Sequence, residues 1–248
     1  MSSRPVITPY EELNLSKKEQ VRKMFNSIAP RYDFMNRLLT LRIDTLWRRK
    51  AIKLVAPYQP KDILDVATGT GDFAVEMMRL EPRKIIGIDI AEVMLELGRK
   101  KMKRKGLSSV IELKEADSEN LPFPEASFDL VSSAFGVRNF EDLEKGLSEM
   151  LRVLRPNGTI LILEASDPED MPFKRLYKAY MTKICPAIGS IFSDGKAYNY
   201  LNRSVSVFPT GNAFINILNK VGYANAHHYP QTMGVASIYV AKKQGVAK

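Results

Sequence analysis

The sequence predicts an α/β fold made of βαβ units, and three observations support this prediction. From Asp62 onward, short apolar runs typical of buried strands alternate with segments of helical periodicity. Residues 1–60, by contrast, show mainly helical patterns. The chain has 248 residues, enough for one α/β domain with a substantial buried core.

The amino-terminal region is predicted to form a helical cap over residues 16–60, after a flexible segment at 1–15. Ser16 begins the first helix, and Glu19 follows three residues later, as in a capping box. Pro30 is expected to end this helix, because proline cannot donate the backbone hydrogen bond that a continuing helix needs. Three helices are predicted, over 16–28, 34–41 and 44–55.

The remainder of a single domain over 16–248 contains the predicted sheet. Apolar runs indicate seven strands, at 63–66, 84–89, 110–113, 128–133, 159–164, 224–229 and 235–242. Helical patterns lie between them, at 72–80, 91–105, 142–154 and 210–221. A helical insertion or lid, rich in aromatic residues, is predicted over 171–208, before the last two strands.

Composition limits the class of protein. No apolar run approaches the roughly 20 residues of a membrane span, and the amino terminus lacks the pattern of a secretory signal. We therefore expect a cytoplasmic protein. The single cysteine, Cys185, excludes an internal disulfide, and the adjacent His227 and His228 lack the spacing of metal ligands, so no metal site is predicted. The formal net charge of +9 favours contact with an anionic membrane surface over nucleic acid.

A glycine-rich loop follows the first predicted strand. Residues 69–74 match the pattern G-x-G-x-x-G/A and open a helix, and Asp89 lies eighteen residues after Gly71, at the end of the next strand. Glycine lets the backbone approach a ligand closely, while a carboxylate accepts hydrogen bonds from ribose hydroxyls. The loop therefore predicts an adenosine-containing cofactor, which includes both nicotinamide dinucleotides and S-adenosylmethionine.

Acidic residues around the loop favour S-adenosylmethionine. Asp65 lies in the strand before it, and Asp72 occupies the helix start where a dinucleotide would place its diphosphate, which a carboxylate repels. S-adenosylmethionine carries a sulfonium and an ammonium group and no phosphate. The alternative for Asp72 is a structural role, either as a helix cap or in favourable interaction with the helix dipole. Asp117, followed by Ser118 after the third strand, is expected beside the adenine, where a carboxylate can accept from the exocyclic amine.

Several segments together resemble the ubiquinone/menaquinone biosynthesis C-methyltransferase family, over about 21–243. The matching segments are Tyr32 to Asn36, Trp47, the loop from Ala67 to Asp72, Phe135 to Asn139 and Arg152 to Ser166. This resemblance implies a Rossmann-like, seven-stranded methyltransferase fold. It also implies cofactor contacts at Thr70, Asp89, Asp117 and Ser118, which Asp65, Gly69 and Gly71 complete.

The chain departs from the family pattern at two places. Thr40 and Asp44 stand where the first family signature usually has Ser and His. The second signature usually reads Lys-Pro-Gly-Gly, where this chain has Arg155-Pro156-Asn157-Gly158. The missing histidine removes a candidate general base, which leaves Asp44 as its substitute.

The resemblance implies transfer of a methyl group to a ring carbon of demethylmenaquinol. Arg138 and Asn139 follow the fourth strand, at the sheet edge where ligands gather, and are the predicted catalytic residues. Arg138 could stabilise a phenolate or orient a water molecule; the alternative is an ion pair with Glu141 or Asp142. Tyr32 could hydrogen-bond the quinol or pack in the core.

The substrate side leaves alternatives open. A polyprenyl tail needs an apolar channel, and the basic, apolar insertion could either rest on a membrane surface or form a lid over the domain. The family also includes enzymes of ubiquinone biosynthesis, so the acceptor could extend to a benzoquinol. Rival functions are a nicotinamide-dependent reductase, an RNA methyltransferase and a non-catalytic S-adenosylmethionine-binding subunit. The sequence predicts no nucleic-acid partner and no particular oligomeric state.

Overall fold

The computed structural model describes residues 7–168 and 196–245 of the chain. Its strands are β1 (Asp62–Val66), β2 (Lys84–Asp89), β3 (Ile111–Glu115), β4 (Phe128–Ala134), β5 (Leu154–Ala165), β6 (Tyr223–Gln231) and β7 (Ala236–Lys243). The helices within those ranges are α1 (Lys17–Leu39), α2 (Ile43–Val55), α3 (Asp72–Met77), α4 (Glu92–Lys105), α5 (Leu143–Val153), α6 (Lys196–Val207) and α7 (Asn212–Val221).

The strands form one seven-stranded sheet in the order β3-β2-β1-β4-β5-β7-β6. Neighbours from β3 to β5 pair in parallel, whereas β7 runs antiparallel to both β5 and β6. From β1 the chain continues to β2, which pairs with one edge of β1. The later strand β4 pairs with the opposite edge of β1. A crevice opens where the strand order reverses in this way, at the carboxyl ends of β1 and β4.

Helices cover both faces of the sheet and bury an apolar core on each. On one face, α5 and α7 pack against the strands through side chains such as Leu147 and Phe214. On the other face, α2, α3 and α4 do so through side chains such as Trp47, Phe73 and Leu95. Strands buried on both faces read as continuous apolar runs, which explains why the sequence pattern located them so well.

The predicted seven strands and the α/β fold are confirmed, with strand ends shifted by a few residues. The largest shift is in β5, which begins at Leu154 and includes the predicted turn at 155–158. The turn survives as an irregularity inside the strand: Phe128 pairs with Leu154 but Leu130 pairs with Thr159, and Asn157 has a φ of 64°.

The prediction that Pro30 ends the first helix is wrong, because α1 continues through it to Leu39. Proline removes one backbone hydrogen bond, but tertiary contacts hold the helix on both sides of it. Before Pro30, Met24 is fully buried; after it, Asp33 accepts hydrogen bonds from Thr70 and Lys101, which lie outside the helix. The capping box of Ser16 and Glu19 is present as predicted.

The segment predicted to be flexible, 1–15, makes specific contacts where it is described. Tyr10 is buried, and its backbone N–H donates to Oε1 of Gln20 at 2.9 Å. Most of the predicted insertion at 171–208 lies outside the described residues, and its final part forms α6. Among the helices that the structure describes, none is both long and apolar enough to cross a membrane.

Candidate active site

A cleft of about 700 Å³ lies at the carboxyl ends of β1, β2 and β4, under α1. Its lining includes Val66, Gly69, Asp89, Asp117, Phe135 and Asn139. A second cavity of about 480 Å³ adjoins it on the far side of the glycine loop, and Tyr32, Ala67 and Gly69 line both. The two cavities therefore form one continuous site along the sheet edge, at the position that the strand order favours.

The glycine loop is fixed to the end of β2. Gly69 has a φ of +57°, a conformation that residues with a Cβ rarely adopt, and its N–H donates to Oδ2 of Asp89 at 2.8 Å. The other Asp89 oxygen accepts from the N–H of Ala91 at 2.9 Å. Burial raises the pKa of Asp89 despite these hydrogen bonds. The carboxylate thus faces the cleft from a rigid position.

Asp65 lies beneath the loop at the end of β1. Its carboxylate accepts from Oγ1 of Thr68 at 2.6 Å and from Oγ of Ser132 at 2.7 Å. Complete burial raises the pKa of Asp65 to about 6, and these two hydrogen bonds only partly offset the rise. Asp65 lines the second cavity, so it both supports the loop and contributes charge to the site.

At the other end of the cleft, Asp117 and Ser118 lie in the loop after β3. Lys18, from the first turn of α1, reaches over this loop. Its Nζ contacts Oδ2 of Asp117 at 2.7 Å and Oε2 of Glu119 at 3.2 Å. The start of α1 is therefore tied to the end of the cleft where an adenine is expected.

The carboxyl half of α1 is tied to the glycine loop by a second polar network. Asp33 accepts from Oγ1 of Thr70 at 2.7 Å and from Nζ of Lys101 at 2.7 Å. The same Nζ also reaches Oγ1 of Thr70 at 2.8 Å and Oδ1 of Asp72 at 2.5 Å. Because both halves of α1 are fixed in this way, the helix forms a roof over the site.

The wall opposite the loop follows β4. Phe135 lies in the left-handed region with a φ of 60°, and so does Ala67 across the cleft, with a φ of 55°. Non-glycine residues in this region are uncommon and often occur at functional sites. Gly136 allows the two loops to touch, because a Cβ there would lie 2.5 Å from Cβ of Ala67.

Arg138 lies behind this wall and forms a buried ion pair with Glu164, at the end of β5. The Arg138 side chain is 7% exposed and that of Glu164 is fully buried. Nη1 of Arg138 also donates to the carbonyl of Phe135 at 2.6 Å, and Nε donates to Oγ of Ser204 at 3.3 Å. Burial lowers the pKa of Arg138, but Glu164 more than offsets this, so the guanidinium stays charged.

Comparison with known proteins identifies the family of the chain. A model of the ubiE/COQ5 methyltransferase family matches residues 13–243 of the chain. The chain belongs to this family. The family assignment removes the nicotinamide-dependent reductase from the alternatives.

Relatives of this ubiE/COQ5 methyltransferase cover nearly the whole chain. The chain is 44% identical over 239 residues to a demethylmenaquinone methyltransferase of Bacteroides fragilis, covering 96% of this chain and 97% of that one. It is 45% identical over 229 residues to the ubiquinone/menaquinone biosynthesis C-methyltransferase UbiE of Geobacter sulfurreducens, covering 92% and 90%.

Solved structures share the fold at low sequence identity. The [4+2]-cyclase SpnF has a TM-score of 0.67 at 15% identity and covers 99% of this chain and 100% of its own. A SAM-dependent methyltransferase of Thermotoga maritima, titled a possible histamine N-methyltransferase, has a TM-score of 0.63 at 19% identity and covers 90% and 99%. The methyltransferase fold that the resemblance implied is therefore confirmed.

The site brings most of the predicted residues of this ubiE/COQ5 methyltransferase together. The first cavity is lined by Tyr32, Gly69, Asp89, Asp117, Ser118 and Asn139. The second is lined by Tyr32, Asp44, Asp65, Gly69 and Thr70. Gly71 and Arg138 line neither of these two cavities: Gly71 caps the start of α3 with a φ of 80°, and Arg138 lies behind the wall.

Three details of the sequence interpretation need correction. The ion-pair partner of Arg138 is Glu164, not Glu141 or Asp142, because the guanidinium points inward to the end of β5. Asp72 does not present an uncompensated carboxylate, since Lys101 pairs with it and lowers its pKa against the effect of burial. Asp72 also is not the N-cap of α3, a position that Gly71 holds.

Asp44 is held by its own helix and by α1. It is 6% exposed, accepts from Oγ1 of Thr40 at 2.9 Å, and pairs with Nε of Arg48 at 3.4 Å. The two residues that replace the family's usual Ser and His are therefore in direct contact, and Asp44 lines the second cavity.

Sequence reasoning missed Glu164 and Lys101, although each leaves a signal. Glu164 is next to last in an apolar strand, as Asp65 is, and Asp89 is the last residue of its strand. A charge at such a point indicates the functional edge of the sheet. Lys101 falls on the buried stripe of α4 with Met94, Leu95, Gly98 and Met102. A lysine in such a stripe indicates a buried partner, because an unpaired buried charge is very costly.

Proposed function

We propose that this chain is an S-adenosylmethionine-dependent C-methyltransferase that converts demethylmenaquinol to menaquinol. The observation that carries the proposal is a single cleft whose two ends differ in chemistry. Carboxylates and glycine backbone line one end, the cofactor end. Asn139 and Tyr32 line the part beside the turn after β4, the acceptor end, and the buried Arg138 lies behind its wall. The names of relatives that are 44–45% identical over nearly the whole chain support the same reaction.

The residues at the first end suit an adenosine-type cofactor. Asp89 would accept hydrogen bonds from ribose hydroxyls, and Asp117 from the exocyclic amine of adenine. Apolar side chains between them, such as Ile90 and Met94, suit the faces of a purine. Beyond the loop, the second cavity has four carboxylates, of Asp33, Asp44, Asp65 and Asp72, against two guanidinium groups, of Arg37 and Arg48. Lys101 adds one ammonium group, which pairs with Asp33 and Asp72. The remaining excess of one negative charge favours a cationic ligand.

S-adenosylmethionine supplies, when bound, an electrophilic methyl group on its sulfonium. The acceptor ring carbon becomes nucleophilic when a ring hydroxyl loses its proton. Arg138 would stabilise the resulting phenolate, and Asn139 would orient the ring from the same turn. After the acceptor carbon takes the methyl group, it loses its hydrogen as a proton to solvent, which restores the aromatic ring, and the ring oxygen regains its proton. Tyr32, which lines both cavities and whose pKa burial raises, would stay protonated and act as a hydrogen-bond donor.

Asp44 is the proposed acceptor of the ring-hydroxyl proton. It lines the second cavity and replaces the histidine that the family pattern usually has there. Thr40 and Arg48 fix the orientation of its carboxylate. Alignment of the acceptor by the roof helix α1 would supply much of the remaining rate enhancement, because it excludes water and restricts the reacting groups.

A methyl-transfer assay tests the proposal. The enzyme is incubated with S-adenosylmethionine and demethylmenaquinol under reducing conditions, and the lipid product is analysed by mass spectrometry. The expected result is addition of one methyl group to the ring, with one equivalent of S-adenosylhomocysteine formed. Absence of turnover with this acceptor and with the matching benzoquinol of ubiquinone biosynthesis would overturn the proposal. Turnover of both would extend it to a bifunctional enzyme, which the name of the Geobacter relative supports.

The acceptor carries a polyprenyl tail, so we also propose peripheral contact with a membrane at its cytoplasmic face. The net charge of +9 supports this, because anionic lipid headgroups attract basic proteins. The basic, apolar part of the predicted insertion lies outside the described residues. Flotation with anionic liposomes at low salt should carry the enzyme upward, and neutral liposomes should not. Equal recovery with both would contradict the electrostatic contact.

A further inference from the structure

Helix α6 presents one buried face to the rest of the molecule. Ala197, Tyr200, Ser204 and Phe208 follow each other at three- and four-residue steps and are all less than 9% exposed. This spacing places them on one side of the helix. Two of these four side chains are polar, so the face must meet polar groups or leave hydroxyls unpaired.

Ser204 meets such a group and Tyr200 does not. Oγ of Ser204 accepts from Nε of Arg138 at 3.3 Å. Tyr200, one turn earlier on the same face, is 2% exposed, and its hydroxyl has no hydrogen-bond partner among the described residues. A buried hydroxyl without a partner reduces stability, because it loses its hydrogen bonds to water without replacing them. Its presence therefore calls for a role outside the folded ligand-free chain.

Tyr200 packs directly behind residues that line the cleft. Its ring packs in a cluster with Val21 and Phe25 of α1, and both of these side chains also line the cleft. Its hydroxyl is close enough to Arg138 and Glu164 to feel both charges, while burial raises its pKa. The hydroxyl is therefore a protonated donor beside the ion pair.

A second unpaired polar atom lies on the same wall. Oδ1 of Asn139 is buried without a partner among the described residues, and Asn139 lines the cleft. A quinol ring carries oxygens that accept hydrogen bonds and hydroxyls that donate them. An unpaired donor and an unpaired acceptor beside one arginine match this chemistry.

We propose that Tyr200 is an acceptor-binding residue whose hydroxyl donates a hydrogen bond to a ring oxygen of the quinol. This inference rests on the proposed methyl transfer to a quinol and adds α6 to the residues that hold the ring. The Tyr200 hydroxyl has no hydrogen-bond partner in the part of the chain that the structure describes and would gain one when the quinol binds. The free energy lost by burying the hydroxyl unpaired would therefore be offset only in the substrate complex.

The test compares Tyr200→Phe with Tyr223→Phe. Tyr223 is also buried, but its hydroxyl donates to the carbonyl of Leu147 at 3.0 Å, away from the cleft. For Tyr200→Phe we expect KM for demethylmenaquinol to rise about tenfold with KM for S-adenosylmethionine unchanged. The Tm of the ligand-free variant should stay level or rise by about 2–4 °C. Tyr223→Phe should show the reverse: a lower Tm and unchanged kinetics.

Two results would overturn the inference and leave the proposed function intact. In the first, the wild type turns over the quinol and Tyr200→Phe has the same quinol KM as the wild type. In the second, Tyr200→Phe loses as much Tm as Tyr223→Phe does. A wild-type enzyme that turns over neither quinol would instead overturn the proposed function, and the inference with it. The wild-type assay therefore separates the two failures.

Discussion

The cofactor end of the cleft and its acceptor end differ in how far apart in the chain their residues lie. The first three parallel strands, β1, β2 and β3, are neighbours in the sheet, and their carboxyl ends carry Gly69, Asp89 and Asp117 respectively. One local pattern, repeated three times, therefore brings these residues together. The acceptor end combines the β4 turn, the end of β5, helix α1 and helix α6. Cofactor binding is thus built from repeated local structure, and acceptor binding from long-range packing.

The two ends also use charge differently. At the cofactor end, carboxylates at the cleft accept hydrogen bonds from backbone N–H groups of the loop, as at Asp89. At the acceptor end, the charge of Arg138 is buried and balanced by Glu164. A buried pair of this kind is costly to break, because one partner is left charged without water or a counterion. Substitutions at the acceptor end should therefore have the larger effect on stability.

Glu164→Gln should have the largest effect. It keeps the size of the side chain but leaves the buried Arg138 without its carboxylate, which should lower the free energy of unfolding by about 3–5 kcal/mol. Urea denaturation measures the loss. The matched control is Glu144→Gln, which removes the same charge from an exposed pair with Lys220 and should change stability little. An equal decrease in the free energy of unfolding of the two variants would show that the buried Arg138–Glu164 pair contributes no more to stability than an exposed pair.

Asp65→Asn should have a smaller effect that depends on pH. Because burial raises the pKa of Asp65 to about 6, above its ordinary value of 3.8, the folded wild type keeps a proton between these values that the unfolded chain releases. The contribution of Asp65 to stability therefore falls as pH rises from about 4 to 6. Asparagine does not titrate, so the variant does not lose stability in this way. Between about pH 4 and pH 6, the free energy of unfolding of the variant should therefore rise relative to that of the wild type by on the order of 2–3 kcal/mol.

The control for this prediction lies at the other end of β1. Burial acts to raise the pKa of Asp62, but Arg83 and Arg155 outweigh it and lower the pKa. In the wild type, the Asp62 carboxylate therefore stabilises the folded state at pH values above its ordinary pKa of 3.8. This stabilisation is lost as the pH falls through the lowered pKa of the folded state. Asp62→Asn should accordingly change the pH profile with the opposite sign. The same sign in both variants would contradict the assigned pKa directions.

Lys101→Met should have the smallest effect on stability, which is confined to the contact between α1 and the glycine loop. It removes the ammonium that joins Asp33 of α1 to Thr70 and Asp72, so the carboxyl half of α1 should open more often. Hydrogen exchange in residues 31–39 should accelerate about fivefold, equivalent to about 1 kcal/mol. Lys100→Met, at the exposed neighbouring position, should leave exchange unchanged. Unchanged exchange in both variants would mean that this network does not hold the roof helix.

The same division explains what the sequence could predict. The strands, the glycine loop and the acidic residues at the strand ends follow from patterns within a few residues of one another. Pro30 misled the prediction of α1, because local propensity cannot register the burial of Met24 before the proline or the contacts of Asp33 after it. The partner of Arg138 was also missed, since the pairing with Glu164 depends on β4 and β5 being neighbours in the sheet.

Tyr200 shows the limit most clearly. Its position in α6 becomes meaningful only when the helix packs against Arg138, about 60 residues earlier in the chain. No periodicity in the sequence distinguishes a buried tyrosine with a paired hydroxyl, such as Tyr223, from one without.

Steady-state kinetics on Asp89→Asn and Arg138→Lys test the division of the cleft most directly, with both substrates varied. Asp89→Asn should raise KM for S-adenosylmethionine by roughly tenfold or more and leave KM for demethylmenaquinol nearly unchanged. Arg138→Lys should lower kcat by roughly tenfold or more, while calorimetry finds the affinity for S-adenosylhomocysteine within about twofold of wild type. If both variants instead weaken cofactor binding together, or both lower kcat alone, the cleft does not have separate cofactor and acceptor ends.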